Sequence, residues 1–105
     1  MEFQEENKIY HDAIDFFGDE SQKIMVVEEM SELTKELCKE LRGRGDIEHL
    51  ADELADVEIM LSQIKIIYNI HQTVAEHKDY KLNRLANSIV ELKKKMTKWN
   101  NGGQK

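Results

Sequence analysis

The sequence predicts an all-α protein, and three features of its composition and patterning support this fold class. The 105 residues contain no proline and only five glycines, so few positions would interrupt a helix. Glu, Lys and Leu, which favour helices, are abundant. Apolar side chains recur at steps of three and four along most of the chain, as in amphipathic helices. We expect four helices in a single domain over residues 1–99, followed by a disordered tail at 100–105.

The first two helices are predicted from apolar spacing and from the residues between them. Residues 3–17 form the first helix, which Gly18 ends. Asp19 is expected to cap the second helix, with Gln22 as its capping-box partner three residues later. The second helix carries one apolar stripe formed by Val26, Met30, Leu33, Leu37 and Leu41. The Arg-Gly-Arg-Gly segment at 42–45 then breaks it.

The third and fourth helices follow the same logic. Asp46 is expected to cap the third helix, which would run to about Asn69 or His71. Its main stripe comprises Leu50, Leu54, Val57, Leu61, Ile64 and Tyr68, and this stripe is widened by Ile59, Met60, Ile66, Ile67 and Ile70. A helix that is apolar on most sides is expected to lie centrally. The last helix, over 73–99, carries apolar residues in strict three-four alternation, the pattern of a helix-pairing seam: Leu82, Leu85, Ile89, Leu92, Met96 and Trp99.

Charge and hydropathy exclude several classes of function. A formal net charge of −6 disfavours nucleic acid as a partner. The N-terminus lacks the cationic segment followed by an apolar one that is typical of a signal peptide. No apolar run approaches the 18 residues of a membrane span. The single cysteine, Cys38, cannot form an internal disulfide. We therefore expect a soluble cytoplasmic protein that does not bind a membrane.

Acidic residues three apart recur along the chain, and most such pairs carry no functional information. About four are expected by chance in a chain this acidic, and the five found are Glu2/Glu5, Asp12/Asp15, Glu29/Glu32, Glu53/Asp56 and Glu76/Asp79. For any one pair, a solvated acidic surface is the favoured interpretation.

The two middle pairs differ from the others in their position. If the chain folds back near Arg42, Glu29 lies level with Asp56 across the hairpin, and Glu32 lies level with Glu53. Equal angular offsets from the apolar stripes would place all four carboxylates on one flank. Two unit charges about 4 Å apart repel by about 4 kcal/mol at an effective dielectric constant of about 20, so this arrangement requires a cation.

Basic side chains and a bound metal are the two candidates for that cation. Lysine and arginine lie nearer the turn than the acids, at Lys35, Lys39 and Arg42. Hard divalent cations prefer carboxylate oxygens, and Mg²⁺ binds a few carboxylates together with waters and substrate phosphates. The chain contains no Glu-x-x-His sequence, which argues against a di-iron bundle. Magnesium is the better fit, and Mn²⁺ is a candidate substitute.

Two motifs at these positions resemble those of MazG-like all-α nucleoside triphosphate pyrophosphohydrolases. Glu28 to Leu33 reads EEMSEL, similar to the family's EExxEL, and Glu53 to Val57 reads ELADV, similar to its ExxD followed by an apolar residue. The resemblance covers roughly residues 9–92. It implies a MazG-like bundle completed by oligomerisation. It also implies Mg²⁺ ligands at Glu29, Glu32, Glu53 and Asp56, with Glu28 supporting the metal site or the attacking water.

A third, partial resemblance lies on the last helix. Residues 79–84 read DYKLNR, whereas the family has Asn-x-Lys-x-x-Arg. The resemblance implies that Lys81 and Arg84 contact substrate phosphates, and a solvated helix surface is the equally favoured alternative. Asp79 replaces the family's asparagine and puts a neutral amide contact in doubt. Aromatic and imidazole groups of the first helix are candidate base contacts, although core packing is the more common role: Tyr10, His11, Phe16 and Phe17.

The expected activity is Mg²⁺-dependent cleavage of a nucleoside triphosphate to the monophosphate and pyrophosphate. No covalent nucleophile or glycine-rich phosphate loop is evident. The alternatives are the same chemistry on dUTP, dCTP or phosphoribosyl-ATP, and a non-enzymatic helical adaptor whose fourth helix is the working surface. The amount of apolar surface predicts an oligomer, and the resemblance implies a homodimer or homotetramer.

Overall fold

The computed structural model describes residues 1–101, which form four α-helices: α1 (Phe3–Phe17), α2 (Asp19–Leu41), α3 (Ile47–Ile67) and α4 (His71–Asn101). No strand occurs within this range, so the all-α prediction is confirmed. The chain divides into two compact units, Met1–Ile70 and a second that begins at His71. A single domain over 1–99, a MazG-like bundle and its oligomer stay predictions.

The helix boundaries lie within a few residues of those predicted. The helix α3 ends at Ile67, slightly earlier than expected, and Asn69 has a φ of 53° in the link to α4. The helix α4 begins at His71 and continues through Asn101, so residues 100 and 101 are helical rather than part of a disordered tail. The rest of the predicted tail, 102–105, lies outside the described residues. No helix in residues 1–101 has the combination of length and apolar character that a membrane span requires.

The α1–α2 boundary corrects the predicted capping box. Gly18, with φ of 94°, both ends α1 and occupies the N-cap of α2, and its N–H donates to the Ile14 carbonyl at 2.8 Å. Asp19 is the first helical residue and makes no capping hydrogen bond. The Gln22 side chain is buried rather than reaching back to the cap. A positive φ favours glycine over any residue with a Cβ, which explains why Gly18 and not Asp19 forms the cap.

The α2–α3 turn agrees with the sequence prediction. Asp46 caps α3, and its Oδ1 accepts a hydrogen bond from the Glu48 N–H at 2.8 Å. Gly45 lies so close to α2 that an added Cβ would be 2.5 Å from the Glu40 Cα. The absence of a side chain there allows the chain to reverse tightly between the two helices.

The core of the Met1–Ile70 unit lies where α1 packs on the antiparallel α2–α3 hairpin. Its buried apolar side chains are few: Ile14, Val26, Val57 and Met60. Two glutamines share this interior, and the Gln22 Nε2 donates to the Gln63 Oε1 at 2.6 Å across the two helices. Gln22 and Gln63 are equally distant from the turn, which is the hairpin register predicted for Glu29 and Asp56.

The faces through which α2 and α3 pack differ in part from the predicted apolar stripes. Val26 and Val57 are buried as expected. Other members of the stripes are exposed, namely Met30, Leu37 and Leu41 of α2 and Leu54, Leu61 and Tyr68 of α3. In their place, Gln22, Gln63 and half-buried carboxylates occupy the contact. The hairpin contact therefore combines a few apolar side chains with polar ones, and part of the apolar surface of both helices stays in contact with solvent.

Candidate metal centre

Three carboxylates come together between α2 and α3. Glu29 projects from the middle of α2, and Glu53 and Asp56 project from α3 one helical turn apart. One carboxylate oxygen from each residue lies within 4.8 Å of the other two. All three side chains are half-buried. The antiparallel register brings Glu29 level with Asp56, and the three-residue step on α3 adds Glu53 on the same face.

The electrostatics of this acidic triad (Glu29, Glu53 and Asp56) are unfavourable without a cation. Partial burial, followed by repulsion from Asp56 and Glu53, raises the pKa of Glu29 above its usual range. Burial also raises the pKa of Glu53, and repulsion from Asp56 and Glu32 adds to this effect. In both residues the structure disfavours the charged carboxylate. A positive charge placed among the three would reverse this preference.

Glu53 has the least favourable surroundings of the three acids. Its Oε2 atom is buried and has no hydrogen-bond partner among the described residues. Most buried polar atoms in proteins are satisfied. In residues 1–101 no lysine, arginine or histidine forms an ion pair with the triad, and the nearest such pair along α2 joins Lys39 to Glu36 at 3.2 Å. The oxygen therefore makes no hydrogen bond or ion pair that would offset the cost of its burial.

The donor set fits a small, hard divalent cation. Mg²⁺ binds oxygen octahedrally at about 2.0–2.1 Å, which sets neighbouring ligand atoms about 3 Å apart and opposite ones about 4 Å apart. The three oxygens of the triad, all within 4.8 Å of one another, need only small side-chain movements to reach those separations. Carboxylates without sulfur or imidazole favour Mg²⁺ or Mn²⁺ over softer metals.

The other two predicted acids lie at the edge of the triad. Glu32 is exposed and is not among the three converging residues, although its charge helps to raise the pKa of both Glu29 and Glu53. Glu28 is also exposed and lies outside the triad. The structure thus groups three of the four predicted ligands and leaves Glu32 as a neighbour on the solvent side.

Sequence reasoning overlooked one acid beside the triad. Glu36 lies two turns along α2 from Glu29, its side chain is only 11% exposed, and its charge contributes to the raised pKa of Glu53. Its pairing with Lys39 distinguishes it from the triad, whose members have no cationic partner. The recurrence of acids at 29, 32 and 36 on one face of α2 was the available signal.

The predicted phosphate-contacting residues lie on α4, in the second unit. Lys81, Arg84 and the variant residue Asp79 are all exposed. The Arg84 guanidinium lies 5.9 Å from the centre of the Tyr80 ring, in an open groove that also includes Asp79. Lys81 lines a neighbouring, mainly apolar groove of α4. Their role in binding phosphates stays a prediction.

The candidate base contacts of α1 differ in their surroundings. The Tyr10 hydroxyl donates to the Glu6 Oε1 at 3.1 Å, and burial is the main cause of its raised pKa. His11 is exposed, as are Phe16 and Phe17, whose rings meet edge to face with centres 4.9 Å apart. Tyr10 also lines a mainly apolar groove together with Met1, Glu6, Ile9 and Ile59.

Comparisons with protein-family models, with curated proteins and with solved structures find no match for this chain. The resemblance to the MazG-like family therefore rests on the two sequence motifs. The candidate metal centre rests on the geometry of the hairpin.

Proposed function

We propose that the protein is a Mg²⁺-dependent nucleoside triphosphate pyrophosphohydrolase that converts a nucleoside triphosphate to the monophosphate and pyrophosphate. The proposal assigns Glu29, Glu53 and Asp56 as ligands of the divalent cation, with Mn²⁺ as a substitute. It takes Glu32 as a further ligand reached from the solvent side. It also includes assembly as a homo-oligomer.

One observation carries the proposal. Three carboxylates from two helices converge within 4.8 Å, and one of their oxygens is buried with no partner. A solvated acidic surface would let the side chains separate into water, where repulsion is weak. Holding them together is costly unless a cation binds, and bound cations of this type commonly act on phosphates.

The residues of the hairpin have defined tasks in this scheme. When bound, Mg²⁺ would neutralise phosphate charge and lower the pKa of a water molecule. Glu29, Glu53 and Asp56 fix the position of the cation because they come from two helices packed in one register. Glu28 lies exposed next to the triad, where a carboxylate can orient a water molecule and accept its proton. Lys81 and Arg84 are assigned to the phosphates of the substrate.

A substrate panel tests the activity. The wild-type protein is incubated with the common ribonucleoside and deoxyribonucleoside triphosphates and Mg²⁺, and pyrophosphate and monophosphate are measured. We expect equal amounts of both products from at least one substrate and none after EDTA is added. Inclusion of dUTP, dCTP and phosphoribosyl-ATP separates the closest alternatives. No turnover of any compound would favour the helical adaptor.

Asp56→Asn and Asp15→Asn form a matched pair for the same assay. Each change removes one negative charge and preserves shape, but Asp15 is exposed on α1 and belongs to a pair whose spacing alone resembles the site. We expect Asp56→Asn to reduce turnover by roughly 100-fold or more and Asp15→Asn to leave it unchanged. Equal activity of the two variants would remove the triad from the mechanism.

A further inference from the structure

Two glutamines lie in the buried part of the α2–α3 contact. Gln22 and Gln63 are 7% and 4% exposed, and the Gln22 Nε2 donates to the Gln63 Oε1 at 2.6 Å. The Gln63 Nε2 donates weakly to the Met60 sulfur at 3.9 Å. Glutamine is mostly exposed in proteins, because burial of its amide is unfavourable unless it is hydrogen-bonded. A pair of leucines could fill the same space with little loss of stability, so stability alone does not explain the glutamines.

The glutamine pair and the acidic triad lie on the same faces of α2 and α3. Gln22 precedes Glu29 by seven residues, and Gln63 follows Asp56 by seven. Seven residues make nearly two turns, so each glutamine lies about 20° from its acid around the helix and about 10 Å from it along the axis. The alignment of the two helices that pairs the glutamines is therefore the same one that brings the carboxylates together.

A slide of α3 along α2 would leave the glutamines without partners. If the slide is one turn of four residues, Gln22 meets Ile59 or Ile67, and the buried amide finds no side-chain hydrogen bond there. The apolar side chains of the contact are less selective, because hydrophobic burial is not directional. The same slide moves Asp56 by about 6 Å relative to Glu29, more than the 4.8 Å that separates the oxygens of the triad at most.

We propose that, given the metal site of the proposed function, Gln22 and Gln63 are its positioning residues and hold its carboxylates together before a cation binds. Repulsion among the three carboxylates favours their separation, and the hydrogen bond between the glutamines opposes the slide that would allow it. A site that is already assembled binds its ligand more tightly, because less ordering is required on binding. The pair therefore sets the metal affinity without contacting the metal.

Metal affinity tests the proposal in variants that separate position from stability. Gln22→Leu/Gln63→Leu removes the hydrogen bond and keeps the contact filled, whereas Ile14→Val destabilises the core and leaves the pair intact. The affinity for Mn²⁺ is measured from the electron paramagnetic resonance signal of the free ion, with urea unfolding to record stability. We expect roughly tenfold weaker binding by the double variant and wild-type affinity for Ile14→Val. Wild-type affinity in the double variant would overturn the proposal.

A distance measurement tests the alignment in the absence of metal. Nitroxide labels are attached in a Cys38→Ser background to Ser21→Cys and Ala51→Cys, which are exposed positions on α2 and α3. In EDTA, double electron–electron resonance should give one narrow distance distribution when both glutamines are present. The double leucine variant should give a distribution that is broadened or displaced by up to about 6 Å, one turn of slide.

The two measurements together distinguish failure of the inference from failure of the proposed function. Identical distance distributions with and without the glutamines would contradict their role in alignment. If the wild type binds no Mn²⁺ while the variant shows the displaced distribution, the proposed metal site is refuted and the role of the pair in aligning α2 with α3 is supported.

Discussion

Glu53 is the residue on which the chemistry of the hairpin depends most. Its Oε2 atom is buried without a partner, and its pKa is raised by burial and by repulsion from Asp56 and Glu32. An unpaired buried oxygen destabilises the fold, and two nearby charges add to that cost. Local strain of this kind is common at functional sites and is relieved when the ligand binds. The metal-free hairpin should therefore be the less stable form.

Asp56→Asn should make the metal-free protein more stable while removing its response to metal. The substitution deletes one of three repelling charges, so the melting temperature in EDTA should rise above that of the wild type. Addition of Mg²⁺ should then raise it little, because a ligand is missing. Thermal unfolding followed by circular dichroism measures both effects. If Asp56→Asn melts lower than the wild type in EDTA, repulsion within the triad is not what limits its stability.

The raised pKa values of Glu29 and Glu53 predict a pH dependence. Both residues have an ordinary pKa of 4.5 and hold their protons to higher pH when the chain is folded. Their contribution to stability is complete below pH 4.5 and is lost as the pH rises through the folded-state pKa values. In EDTA, the free energy of unfolding from urea titrations should therefore fall more steeply with pH for the wild type than for Glu53→Gln. Identical slopes would contradict this.

At the scale of elements, the hairpin register is the feature that creates the site. The Gln22–Gln63 hydrogen bond and the meeting of Glu29 with Asp56 belong to the same antiparallel alignment of α2 and α3. A buried polar pair restricts how two helices can align, because any shift leaves its groups without partners. We infer that the glutamine pair fixes the register and so places the carboxylates opposite one another.

A double-mutant cycle tests this role of the glutamines. Gln63→Leu should cost about 1–3 kcal/mol, because the Gln22 side chain, only 7% exposed, loses its acceptor. The double variant Gln22→Leu/Gln63→Leu should recover much of that loss in urea unfolding, whereas Gln4→Leu on the exposed part of α1 should change little. Strictly additive effects of the two single changes would show that the pair does not act as a unit.

The ends of the helices could be predicted where a residue with a strong local preference stands at the boundary. The faces through which α2 and α3 pack could not be predicted in the same way. Gly18 and Asp46 are strong local signals, and both stand at helix ends. Glycine and aspartate both favour an N-cap, so spacing alone could not assign that position to Gly18 over Asp19. Periodicity shows which faces of α2 and α3 are apolar, but the choice between them depends on tertiary packing, which buries Met60 and Gln63 and leaves Leu61 exposed.

The same distinction applies to the candidate site. Spacing from the turn predicts which carboxylates are level, and this located Glu29 and Asp56 opposite each other. Spacing does not predict how deeply a side chain is buried in the α2–α3 contact, because a small rotation of either helix moves the side chain from the contact into solvent. Glu32 therefore lies outside the triad although it was grouped with it, and Glu36 lies close to Glu53 although it was not considered.

At the scale of the whole molecule, acidic side chains outnumber basic ones in residues 1–70, whereas basic side chains outnumber acidic ones in α4. The two units thus carry charges of opposite sign. The first suits cations and the second suits anionic groups. The exposed apolar flank of the hairpin supports the predicted association between copies.

Divalent cations should stabilise the intact protein. Mg²⁺ binds the folded chain but not the dispersed carboxylates of the unfolded one, so its addition should raise the melting temperature and EDTA should reverse the change. A Mg²⁺ concentration 100 times the dissociation constant corresponds to about 2.7 kcal/mol of added stability. Equal melting temperatures in Mg²⁺ and EDTA, with K⁺ added to match ionic strength, would count against a site for the cation.

The most direct test of the central claim is to locate the cation itself. Crystals grown with Mn²⁺ and measured near the manganese absorption edge would show the metal as a peak in the anomalous difference map. We predict a peak bonded to carboxylate oxygens of Glu29, Glu53 and Asp56, absent from crystals of Glu53→Gln. A map with no peak between those three side chains at saturating Mn²⁺, or with the carboxylates turned apart into solvent, would contradict the account.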